Sequence, residues 1–134
     1  MRRSTPRPNT DFMRDVELSR EKQRVFDRHL KCLALREGID LRIIPECIVG
    51  SYSEIKRVHM IPVRFIEDYA IGLHELGHSA LYHRPEQSRE WKEILAWKWA
   101  RKNSCTWNLT MEEHVAYCLS CWGIYDENPA KYVI

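Results

Sequence analysis

His74-Glu75-Leu76-Gly77-His78 places a strong constraint on the middle of this chain. On a helix, residues four apart lie one turn above each other, so His74 and His78 present stacked imidazoles. The surrounding residues support a helix. After Pro62, the residues Ile66, Tyr69, Ala70, Leu73, Gly77 and Ala80 recur in steps of three and four. That spacing predicts an amphipathic helix packed on a sheet. The two histidines then fall on a neighbouring face, toward a cleft beside that sheet.

The rest of the fold follows from punctuation and period. Residues 1–10 carry Arg2, Arg3 and Arg7 among Pro, Ser and Thr and read as a disordered basic tail. Residues 11–134 form one domain. Ser19 is placed to cap a helix in which Val25, Phe26, Leu30 and Leu33 recur, and Gly38 ends it. Ile39–Ile44 alternates apolar and polar residues up to Pro45, and further short strands are expected at Cys47–Tyr52 and Arg57–Ile61. A small, mostly antiparallel sheet follows from strands this short, with Arg57–Ile61 as an edge able to hold an extended peptide. Ser88 caps a helix to about Lys102 with Trp91, Ile94, Leu95 and Trp99 inward, and Thr110 and Glu113 have capping-box spacing for a last helix ended by Gly123. This order of elements is α+β.

Composition narrows the class. The 134 residues are 44% hydrophobic and 30% charged with a net charge of +2, an ordinary globular balance that gives no general case for nucleic acid. No apolar run approaches the roughly 20 residues needed to span a bilayer, and no apolar stretch follows the N-terminal arginines as in a signal peptide. Five cysteines, an odd number without a secretory signal, fit a reducing cytoplasm. Cys118 and Cys121 lack a second CxxC and are expected to be buried thiols on a helix.

The histidine pair also has a chemistry. His-Glu-x-x-His on a helix is a zinc-site pattern, with Glu75 next to the first ligand as a base for a bound water. Catalytic zinc takes a third protein ligand. A metzincin-type His would fall at position 84, which is Arg84. His83 would be turned by roughly 140° from His78 on a continuing helix. A later Glu is the other solution. Glu86, Glu90 and Glu93 lie on or before a helix rich in Lys, Arg and Trp and read as solvated charges. Glu112-Glu113-His114-Val115-Ala116 differs, because a small residue three places after a carboxylate lets two helices approach closely.

HELGH followed by EExxA resembles the compact gluzincin-type metallopeptidases, in particular the ImmA/IrrE family and the peptidase-like domain of ArdC antirestriction proteins. The resemblance spans roughly residues 38–122. It implies a zincin-like fold and a Zn2+ ion held by His74, His78 and Glu113, with Glu112 as the alternative, and Glu75 as general base. It also implies a cytoplasmic protease acting on a specific protein, such as a transcriptional repressor. Tyr117 departs from the pattern, since these families often carry Asp, Asn or Glu there. Tyr52, Tyr82, His83, His114 and Tyr117 have the chemistry of an oxyanion donor.

Two rival functions remain open. One is a zinc-containing domain without proteolytic activity, a binding or anti-defence protein. The other is nucleic-acid contact through Trp97-Lys98-Trp99-Ala100-Arg101-Lys102, where basic residues alternate with indoles.

Overall fold

The computed structural model describes residues 16–81 and 87–128. The expected tail at 1–10, and Tyr82, His83, Arg84 and Glu86, lie outside the described residues. Among these residues the chain forms α1 (Arg20–Glu37), β1 (Asp40–Ile43), β2 (Gly50–Tyr52), β3 (Arg57–Met60), α2 (Ile66–Leu81), α3 (Arg89–Asn103) and α4 (Leu109–Ser120). This is an α+β arrangement of four helices and a small mixed sheet. No helix of the described residues is long and apolar enough to cross a membrane.

The boundaries have local causes. Ser19 caps α1 by accepting from the Lys22 N–H, and Gly38 ends it in the left-handed region at φ 68°. There its N–H reaches the Ala34 and Leu35 carbonyls, and no side chain strains the backbone. Ser88 caps α3 through the Trp91 N–H. The last helix begins earlier than its capping-box spacing suggests. Asn108 accepts from the Met111 N–H and is the N-cap, which leaves Thr110 inside the first turn.

The sheet order is β1-β3-β2. β1 runs parallel to β3 with Asp40 opposite Arg57, and β2 runs antiparallel to it. The sheet is therefore mixed rather than mostly antiparallel. β1 and β2 are not neighbours, so the chain reverses twice before β3 enters between them in the direction of β1. Arg57–Met60 is consequently the central strand, with its hydrogen bonds committed on both sides. The edges are β1 and β2.

α2 lies at the centre of the packing, against α1, α3, α4 and the sheet. The core joins Phe26 and Leu30 from α1, Val58 and Met60 from β3, Tyr69, Leu73 and Leu76 from α2, and Trp97, Met111 and Val115 from the later helices. The two helical glycines of α2 mark its closest approaches. A Cβ at Gly72 would meet Met60 and Leu30 side chains, whereas one at Gly77 would lie 2.8 Å from the Ala96 carbonyl oxygen. Gly77 therefore faces α3 and not the sheet.

Candidate metal centre

The close approach of α2 and α3 determines what the histidines meet. With no side chain at Gly77 and only a methyl group at Ala96, the helices come near enough for a short carboxylate to span the gap. Glu93, three residues before Ala96, makes that contact. The Nε2 atoms of His74 and His78 lie 2.8 and 2.6 Å from the same Glu93 oxygen, Oε2. His74, His78 and Glu93 each offer a ligand atom, all within 4.8 Å of one another, and could hold a metal ion.

The donor set fits such an ion. Two imidazole nitrogens and one carboxylate oxygen are a known three-ligand set for a catalytic metal. Ligand atoms bound to one tetrahedral ion at about 2.1 Å lie about 3.4 Å apart, so the Glu93 oxygen, 2.8 and 2.6 Å from the two nitrogens, needs to withdraw by less than about 1 Å to admit one. The site is largely enclosed, with the side chains of His74 and Glu93 each 11% exposed and that of His78 18%. Trp97, itself buried, stacks on the His74 ring with centroids 4.1 Å apart and planes 11° from parallel.

The electrostatics follow from this packing. For Glu93, burial is the largest influence and opposes ionisation, but hydrogen bonds from both histidines outweigh it and hold the carboxyl far below its ordinary value. His74 mirrors this: burial disfavours its charge most, yet hydrogen bonds to Glu75 and Glu93 together raise its pKa to about 9. Glu75 lies with Oε2 3.4 Å from His74 Nδ1. Burial pushes its pKa up, and the hydrogen bond and the charges of His74 and His78 bring it below the usual value, so the carboxylate is ionised.

Of the expected residues, the structure gathers His74, Glu75 and His78 but supplies Glu93 where the family resemblance gave Glu113. Glu113 is exposed on α4 and does not belong to the cluster. The first turn of α4 directs its charge elsewhere. Glu112, the alternative ligand, receives hydrogen bonds from Arg101 at 2.5 and 3.1 Å and from the Trp107 indole N–H.

The sequence pattern places Trp91, Ile94, Leu95 and Trp99 inward on α3, whereas the helix buries a different stripe that contains Glu93. The buried residues are Glu93, Ile94, Ala96, Trp97 and Ala100, while Trp91, Leu95 and Trp99 are only half-buried. The signal was nevertheless present: Glu93-Ile94-Leu95-Ala96 has the same Glu-x-x-Ala spacing that singled out Glu113.

The other expected roles are redistributed. Trp97 and Arg101, central to the nucleic-acid reading, are occupied internally. Trp97 packs on His74, and Arg101 pairs with Glu112 and Glu127. Tyr117 is 43% exposed, and Tyr52 lies edge-on to His59. His114 meets Trp97 edge-on and lies 3.4 Å from the Cys118 sulfur. Cys118 is half-buried but Cys121 is exposed at the C-cap of α4, so the pair is not a buried one. Comparison with family models, with curated proteins and with solved structures gave no match.

Proposed function

We propose that this protein is a zinc metallopeptidase resembling the ImmA/IrrE and ArdC-type gluzincins, with His74, His78 and Glu93 as ligands and Glu75 as general base. The carrying observation is the convergence of both Nε2 atoms on one Glu93 oxygen, with a second ionised carboxylate, Glu75, 3.4 Å from the other ring nitrogen of His74, Nδ1. Zinc suits a site of two imidazoles and a carboxylate and supplies Lewis acidity that acidifies a water and polarises a scissile carbonyl.

The chain's own residues supply the rest. Glu75, charged at neutral pH, is competent to accept the proton of an attacking water and deliver it to the leaving amine. Trp97 covers one face of His74 and excludes water there, which strengthens the electrostatic interactions around it. The substrate we infer is a specific protein, and the family resemblance favours a transcriptional repressor.

A peptide library exposed to zinc-loaded protein and read by mass spectrometry tests this. New peptide termini are expected with the wild type and not with Glu75→Gln, which retains its zinc. Equal cleavage by both, or by neither, contradicts the assignment.

One observation favours a second reading, a zinc-containing binding protein without proteolysis. The Glu75 carboxylate leans on His74 Nδ1, the position of a group that orients a metal-bound imidazole. In that case Glu75→Gln leaves biological activity intact while His74→Ala abolishes folding.

A further inference from the structure

A second feature lies along the same helix. A cavity of about 780 Å³ opens between the β1–β2 connection, the end of β3 and the first turns of α2. Its walls include Val49, Met60, Ile61, Pro62 and Ile71. Asp68 also borders it, but its carboxylate oxygen Oδ2 already accepts from the Arg64 and Phe65 backbone N–H groups at 3.0 and 2.9 Å. Glu46 and Arg64 line it too, but both are exposed and the Arg64 guanidinium is paired with Glu17 at 2.8 Å, so the cavity offers mainly apolar surface. Its volume lies within the range of small-ligand pockets.

Helical geometry ties it to the metal centre. Asp68, Ile71, Glu75 and His78 follow one another in steps of three, four and three and form a single stripe on α2. Ile71, Glu75 and His78 are all half-buried, so the stripe stays accessible from the cavity wall to the centre. One turn separates Ile71 from Glu75, an advance of about 6 Å. An extended peptide covers about 6.6 Å in two residues, and those two side chains point the same way. β2, a sheet edge beginning just after Val49, borders the same region and offers main-chain hydrogen bonds to such a strand.

We propose that this cavity is a specificity subsite that takes a large apolar side chain, Leu, Met or Phe, two residues from the bond presented to Glu75. The proposal rests on the peptidase reading for its register, but the binding preference can be measured without cleavage.

The probes are acetylated, amidated hepta-alanine peptides with a single Leu, Met, Phe or Asp moved along the chain. Their binding is measured to zinc-loaded Glu75→Gln protein by calorimetry. At one position the large apolar residues are expected to tighten binding at least tenfold over Ala, and Asp to abolish it. Ile71→Trp and Val49→Trp, which fill the cavity from two different walls, should each remove the preference with zinc content unchanged. No apolar preference at any position, or a preference that survives both filling variants, overturns the proposal. Preferential binding without cleavage by the wild type removes the peptidase reading and leaves the subsite. Cleavage without preference does the reverse.

Discussion

The Trp97 indole lies flat on the His74 imidazole, 4.1 Å between centroids and 11° from parallel. The contact fixes the ring plane of His74 while Glu93 fixes its Nε2 and Glu75 approaches its Nδ1. Trp97→Ala removes both the stack and a buried side chain, and about 3–5 kcal/mol of stability should be lost. Supporting groups around metal ligands typically change affinity by about 10–100-fold, and a loss of that order is expected for zinc. Trp97→Phe, which keeps an aromatic face, should lose less of both. Urea unfolding and competition with a chelating dye measure the two effects, and unchanged zinc affinity in Trp97→Ala would separate the indole from the site.

Gly77 offers a sharper probe, because the obstruction is backbone. A methyl group there would lie 2.8 Å from the Ala96 carbonyl oxygen and force α2 and α3 apart. Gly77→Ala should cost about 1–3 kcal/mol and weaken zinc binding by drawing Glu93 away from the histidines. Gly72→Ala meets the ends of the Met60 and Leu30 side chains, which can move. It should leave zinc affinity unchanged. Equal zinc affinities for the two variants would contradict this account of the helix contact.

Glu112 carries the pH prediction. The Arg101 hydrogen bond holds its carboxyl below the ordinary value of 4.5, against the opposing effect of burial and with help from Trp107. A carboxyl whose folded pKa is lowered contributes stability above its unfolded value and loses that contribution as pH falls through the folded value. The pair is partly exposed, so the effect is at most about 1 kcal/mol. Glu112→Gln should therefore have a lower urea midpoint than the wild type at pH 7, and the difference should shrink as the pH falls below the ordinary carboxyl value of 4.5. Divergence in acid would reverse the assigned sign.

On the catalytic reading, chelation should weaken the fold without abolishing it, since Phe26, Leu30, Val58 and Met60 anchor the core away from the site. At free zinc about 100 times the dissociation constant, binding stabilises by about 2.7 kcal/mol. A chelator should lower the melting temperature of the wild type and of Glu113→Gln, and leave Glu93→Gln unmoved. A chelator response in Glu93→Gln would exclude its carboxylate as an essential ligand.

Local signals were legible where a single residue type determines the outcome. Ser19, Gly38 and Ser88 marked helix ends because capping is a short-range hydrogen-bond problem, and the apolar steps after Pro62 placed both histidines on a helix. Pairing was harder to read. Nothing within Arg57–Met60 states that two other strands flank it, since sheet order is set by how the chain returns.

The position of Glu93 beside the histidines was hard to read for a related reason. Three tryptophans on α3 allow several apolar stripes, and only contact with α2 selects the one containing Trp97 and Glu93. Ala96 was the useful clue: paired with Gly77, it predicts where two helices can touch.

The most direct test is metal content in purified protein, measured by elemental analysis for the wild type, His78→Ala, Glu93→Gln and Glu113→Gln. A site of His74, His78 and Glu93 predicts one zinc per chain in the wild type and in Glu113→Gln, and its loss in the other two variants. Zinc retained by Glu93→Gln and lost from Glu113→Gln, or no metal in any of the four proteins, would contradict it.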